Sequence, residues 1–247
     1  MEISVDGNGF NAVLKGKKKV KFSREAALLI SVLINSMGVD IMSRSGFGIA
    51  QISSVPYVFS KTFPNITFGT FNYIFQTMLI VSLMVIGKKI KAGYAFSFVV
   101  GIVFGVMLDI HNLWVSLLPT GPVLNIIYFV LSYFILCTGV CLANNSMLPI
   151  IPTDTFPRDL SVMLGKPYNV VKTTFDLCCL FTTVVISFVC LGRLEAVGIG
   201  TFILAFTMGK VITVINTKVN NIFEFYNAVN LKFPAKKLAL ISHIHRI

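Results

Sequence analysis

Along most of this chain the apolar positions neither alternate nor form a stripe; they run on without a break. Six runs approach the roughly 20 residues that a helix needs to cross about 30 Å of hydrocarbon, at about 26–42, 66–86, 92–110, 123–143, 168–191 and 196–216. The pattern predicts an all-α membrane protein of six transmembrane helices. Ahead of the first run, residues 1–24 form a polar tail rich in base (Lys15, Lys17, Lys18, Lys19, Lys21, Arg24), and no small-residue cleavage pattern of a signal peptide follows it. Beyond the six-span domain (25–217), residues 219–231 stay helix-compatible, and 232–247 mix Lys236, Lys237 and Arg246 with Leu238, Leu240, Ile241 and Ile244. We expect this 218–247 tail to be an amphipathic basic segment lying on an anionic leaflet.

Two connecting segments, 43–65 and 144–167, are too apolar for surface loops and too short and interrupted to span. Each opens on a Gly or Pro break and leads to a short helix with Pro in its expected first turn, so Ser54 and Thr155 are the expected N-caps. A re-entrant or interfacial short helix is expected in each. These segments also carry a repeat, because residues 38–60 align without a gap on 139–161. Gly38 falls on Gly139, Val39 on Val140, Ser45 on Ser146, Ile49 on Ile150, Pro56 on Pro157 and Ser60 on Ser161. With small shifts Asn72 and Gln76 meet Lys172 and Asp176, Gly87 meets Gly192, and Gly105 meets Gly209. Each unit, about 25–112 and 123–217, then holds three spans with a short helix after the first. An odd span count makes the second copy enter from the opposite side, giving two inverted three-span repeats, an arrangement common in secondary transporters.

Composition changes the picture mainly by exclusion. With 55% hydrophobic residues, 13% charged residues and a mean hydropathy of +0.82, the chain is far from a soluble domain, which carries about 25% charge. The net charge of +11 does not indicate nucleic acid, since the bases sit in tails and short loops without aromatic interleaving. They report topology instead. A cytoplasmic N-terminus places 16 bases inside and leaves Arg44, Lys61 and Arg193 outside, with Lys172 and Lys210 within spans. Both termini are therefore expected in the cytoplasm of a plasma membrane. The 109–121 connection, without Lys or Arg, carries the lone tryptophan, Trp114, at the expected headgroup level. All five cysteines lie in apolar runs, where reduced, buried thiols are expected; no disulfide, metal or cofactor is implied.

The strings GFGIAQISSVPYVFS, ITFGTFNYIFQ and IGKKIKAGYAFSFVVGIVFGVMLD resemble the YczE/YyaS/YitT group of bacterial integral membrane proteins over about residues 25–217. That resemblance implies a multi-span bacterial membrane protein, points towards transport, and brings no known catalytic residues.

Candidate chemistry concentrates in the second half. Ionisable groups at membrane depth are costly and mark function by default. Lys172 and Asp176 lie one turn apart in the fifth span, Asp176 being the one clear carboxylate within a span, and Asp154, Thr155, Arg158 and Asp159 crowd the second short segment. Their counterparts in the first half, Asn72 and Gln76 among them, are mostly uncharged, while Asp40 and Arg44 lie four apart at the end of the first span. His111, His243 and His245 all fall outside the expected spans, and no nucleophile elbow, P-loop or zinc-protease motif is present, so no enzyme is expected. These observations favour a transporter or binding protein for a small solute, with Asn72, Gln76, Asp154, Thr155, Arg158, Asp159, Lys172 and Asp176 as substrate-binding residues at the repeat interface. The alternative is a non-transporting membrane subunit that anchors or assists a partner. The expected partners are the bilayer, a small solute, and a second copy or partner subunit; Gly101 and Gly105 permit close helix approach within or between chains.

Overall fold

In the computed structural model, which describes residues 19–88 and 91–228, helix dominates. The order is β1 (Val20–Ser23), α1 (Arg24–Ser45), α2 (Gln51–Thr62), α3 (Phe68–Gly87), α4 (Ala92–Val115), α5 (Pro122–Ser146), α6 (Pro152–Leu164), α7 (Tyr168–Ile186, continued by a π turn over Ser187–Leu191), α8 (Ile199–Ile222) and β2 (Phe223–Tyr226). Six of these helices, α1, α3, α4, α5, α7 with its π turn, and α8, are 20 to 25 residues long and apolar enough to cross a membrane. The chain is thus a multi-pass membrane protein. The basic half of the expected C-terminal tail, with His243 and His245, and residues 1–18 lie outside the described residues.

At the centre α1 runs antiparallel to α5. A Cβ added at Gly38 would come within 3.0 Å of Ile135 and Leu136, and one at Gly139 would collide with the Asn35 amide. The paired glycines let the two backbones approach closely where side chains would hold them apart. Burial follows from that position: 61% of the apolar window of α1 is enclosed, against 17% for α7 and for α8. α4 packs on α1 and α8 on α5, while α2 packs on α7 and α6 on α3.

The ends of α1 and α5 share one local geometry. Gly46 (φ +72°) and Met147 (φ +54°) both end their helices in the left-handed region. Ser45 donates to the Met42 carbonyl (2.6 Å) and Ser146 to that of Ala143 (2.7 Å). Each hydroxyl also accepts from the backbone N–H two residues on, of Phe47 and of Leu148, at 3.3 Å. Both short helices then start after an extended residue, Ala50 or Ile151.

Several expectations need correction. Ser54 and Thr155 are not N-caps: each helix begins earlier, and their hydroxyls turn back to the carbonyls of Gln51 (2.6 Å) and Ile150 (3.2 Å). Pro56 and Pro157 accordingly lie inside their helices and beyond the first turn, although Pro152 does begin α6. The first and third spans run further than expected, to Ser45 and Val115: the first continues through polar residues to its left-handed cap at Gly46, and in the third the apolar Leu113, Trp114 and Val115 follow His111 and Asn112. This brings Arg44 and His111 into spanning helices and sets Asp40 and Asp109 at least a turn inside the ends of theirs, so Asp176 is not the one carboxylate within a span. Cys178 and Cys190 are exposed on α7 and its π turn, whereas Cys137, Cys141 and Cys179 are buried, all with free thiols. After Ile222 the backbone leaves the helix, and β2 pairs in parallel with β1, Val20 opposite Phe223. Alternating aromatics favour this: Phe22 sets its ring edge-on to Phe223 and Phe225, with centroids 5.6 and 5.8 Å away. Gly101 and Gly105 serve packing within the chain, against Gln76 and Gly69 of α3.

If the α1–α5 crossing organises the bundle, Gly139→Ala should lower the melting temperature in detergent, by an overpacking cost of about 1–3 kcal/mol. Gly209→Ala, where nothing lies within 4 Å, should leave it unchanged or slightly raised. Equal melting of the two variants would count against the role given to the crossing.

Candidate functional site

α6 is the element that collects the charge. It packs on α3, α4 and α7, so side chains on its different faces reach three spans. Towards α7, Phe156 meets Phe175 with ring centroids 5.0 Å apart, and Asp154 comes within electrostatic reach of Lys172, Asp176 and Arg158. Tyr168, at the start of α7, sits in the field of Asp154, Asp176 and Arg158. Towards α4, the Thr155 and Ser97 hydroxyls are 3.4 Å apart and both buried.

Lys172 donates to both oxygens of Asp176, at 2.6 and 2.7 Å, and both side chains are 26% exposed. The spacing of four residues puts them one turn apart on one helix face. Cys179, Thr183 and Ser187 continue that face and are buried, and Thr183 meets Ser54 of α2 at 2.7 Å. Asn72 and Gln76 form the corresponding pair on α3, with the Gln76 amide donating to the Asn72 carbonyl oxygen. These two are 3% and 2% exposed, and the Gln76 side chain lies against Gly101 of α4, which Pro152 of α6 approaches as well. The neutral pair is sealed while the charged pair is not.

Packing explains the contrast. α3 and α4 are pressed together where Gly69 meets Gly105, and Asp109 accepts from the Gly69 N–H (2.8 Å) and the Thr67 hydroxyl (2.7 Å) to hold the start of α3. α7 and α8 make almost no contact with each other along their length. At Gly209, aligned with Gly105, nothing lies within 4 Å, and Lys210 is exposed. What α4 closes over α3 in the first half, α8 does not close over α7 in the second, and Lys172 and Asp176 keep 26% of their side-chain surface accessible.

Asp159 belongs to a separate knot at the edge of α6. Its Oδ2 accepts from Lys91 Nζ (3.0 Å) and the Tyr94 hydroxyl (2.8 Å), and its Oδ1 from Arg158 Nε (3.3 Å). Burial by itself would raise the Asp159 carboxyl, but the hydrogen bonds from Lys91 and Tyr94 and the charges of Arg158 and Lys91 outweigh it and hold it below the usual carboxylate value. For Lys91 burial acts downwards, and the hydrogen bonds to Tyr94 and Asp159 turn the balance upwards.

The structure thus gathers Asp154, Arg158, Lys172 and Asp176 around α6 and α7, places Thr155 on the α4 side, assigns Asp159 to the knot with Lys91, and seals Asn72 and Gln76 under α6. The sequence reading missed Lys91, Tyr94, Ser97 and Tyr168, which join only because α6 folds back onto α4 and α7. Among the described residues no group of three metal-ligating side chains occurs.

A family model matches residues 22–217. The chain belongs to DUF6198, a family of unknown function. The match extends from β1 into the last turns of α8 and so covers all six spans and both short helices of this chain. Comparison with curated proteins and with solved structures gives no match.

The depressed Asp159 carboxyl makes a signed prediction. A carboxylate held below its unfolded value of about 3.9 stabilises the fold fully above that pH, and its contribution is lost as pH falls through the folded value. Wild type should melt above Asp159→Asn by a constant margin near neutrality, and the margin should close below about pH 4. A margin that widens on acidification would contradict the ion-pair assignment.

Proposed function

We propose that this DUF6198 chain binds a small solute within the membrane and transports it, with the site beside α6 and α7. The observation that carries this reading is the charged group Asp154, Arg158, Lys172 and Asp176 where α6 packs on α7, with Lys172 and Asp176 partly accessible where the aligned neutral pair on α3 is buried. Both signs of charge are present there, so the fitting solute is polar, with an anionic group to meet Lys172 or Arg158 or a cationic group to meet Asp154 or Asp176. α6 supplies the lever, because it touches both the sealed pair and the open one.

Inverted repeats support the same reading. The shared helix ends at Ser45 and Ser146, the aligned Gly38 and Gly139 each lying against the other helix at the α1–α5 crossing, and the mirrored packing of α2 on α7 and α6 on α3 are what a two-fold axis in the membrane plane would produce. In that arrangement α2 and α6 are the paired re-entrant helices. A site near the repeat interface, exposed first to one side and then to the other, is the usual consequence. The distribution of basic residues supports cytoplasmic termini, and the resemblance to the YczE/YyaS/YitT group supports a bacterial plasma membrane. Cysteines introduced at positions 16 and 236 should then label from the cytoplasmic side and one at 116 from outside; opposite labelling of the first two would remove the inverted repeat.

The function itself is tested by thermal stabilisation. A ligand that binds only the folded state raises the melting temperature by mass action, so a broad panel of polar metabolites should yield saturable stabilisation of the purified chain. Asp176→Asn, which leaves Lys172 without its partner, should still insert and should abolish the stabilisation. If no metabolite stabilises wild type while a second protein co-purifies at fixed stoichiometry, the chain is instead a membrane subunit serving a partner.

A further inference from the structure

A second ionisable group lies at the other end of the bundle, where α1, α4 and α5 meet. Ser36, Asp40 and Arg44 are spaced by four and share one face of α1. Ser36 meets Nδ1 of His111 on α4 at 3.1 Å, and Arg44 donates its Nε to the carbonyl of Leu118, just beyond α4, at 3.1 Å. Asp40 lies between those two contacts and is 1% exposed. Its Oδ2 is enclosed and has no hydrogen-bond partner.

The groups facing it do not neutralise it. From α4 the acidic neighbour is Asp109, within electrostatic reach, and Asp109 is already provided for by Thr67 and the Gly69 N–H. His111 is held by Ser36, and the Arg44 guanidinium is committed to a backbone carbonyl. α5 carries no charged residue; the titratable groups on the stretch that packs here, Tyr133 and Cys137, are uncharged at neutral pH, and the tyrosine hydroxyl pairs with Thr207 (2.8 Å). An enclosed carboxylate without a counter-charge, beside a second carboxylate, is stable only when a cation sits on it.

We propose that Asp40 is the seat of an exchangeable cation, a proton or an alkali-metal ion, held between α1 and α4 at the end opposite the β1–β2 pair. The assignment stands on this geometry and is independent of the solute site beside α7. For a transporter, it supplies a coupling ion at a position separate from the solute.

The test melts the purified full chain in nanodiscs in sodium, potassium or N-methyl-D-glucamine chloride at constant ionic strength, and in the last salt alone from about pH 5 to about pH 8. Wild type should gain melting temperature when sodium or potassium replaces the organic cation, which identifies a metal ion, or on acidification without them, which identifies a proton. Asp40→Asn, a neutral isostere, should melt at or above the cation-saturated wild type and lose the response. Asp109→Asn removes the neighbouring negative charge and should move the half-point roughly tenfold towards higher cation concentration. His111→Gln should retain the response. Absence of both responses in wild type, or a response retained in Asp40→Asn, overturns the assignment, as does its loss in His111→Gln. Should Asp40→Asn fail to fold, an unmoved half-point in Asp109→Asn overturns it equally.

Discussion

Where α1 crosses α5, two glycines remove the side chains that would hold the helices apart, and the position of every other span follows from that close approach. Lipid offers no hydrophobic gain for joining two apolar helices, so their association depends on tight packing and on satisfied polar groups. Gly38 against Leu136 and Gly139 against Asn35 provide the packing. With the crossing fixed, α4 lies along α1 and α8 along α5. The extended segments after Ser45 and Ser146 then deliver α2 and α6 to opposite halves of the bundle. The Phe47 carbonyl accepts from the Gly200 N–H (2.8 Å) and Ile49 donates to the Ala196 carbonyl (3.0 Å), which ties the first of these segments to the start of α8.

The two halves share that frame and differ in how they close. In the first, Gly69 and Gly105 bring α3 and α4 into backbone contact, and Asp109 holds the first turn of α3. The second half keeps the glycine, as Gly209, but has no helix against it. The result buries a neutral pair and leaves a charged pair partly accessible, as electrostatics favours. Lys172 and Asp176 in the sealed position of Asn72 and Gln76 would bring two charges to a place where those side chains are only 3% and 2% exposed, a costly burial. The unpaired Gln76 Oε1 shows that the sealed position already leaves one neutral acceptor unmet.

β1 and β2 add a constraint that the membrane helices lack. They join the start of α1 to the end of α8, reinforced by the Arg24 side chain on Asn227 (2.9 Å) and the Ala228 N–H on Glu25 (3.2 Å). Among the spans, α8 otherwise packs chiefly on α5. Tethered at one end and free along α7, it is the span whose displacement disturbs the fewest contacts.

Length and unbroken apolarity determined the six spans, because crossing a membrane requires about 20 apolar residues whatever the neighbours are. The spacing of four determined the Lys172–Asp176 pair, since helix geometry alone brings such residues together, and the aligned Gly, Ser and Pro positions marked the stretches that take the same local shape. Tertiary structure decided the rest. Ser54 looked like a cap until Thr183, 129 residues away, took its hydroxyl. His111 fell outside the expected spans until α4 extended past it to meet Ser36 of α1. Two similar hairpins gave one closed and one open pair of helices because contact across Gly105 or Gly209 depends on a partner surface remote in the chain. Local sequence fixes what each helix can bury; only the assembled bundle fixes what each helix meets.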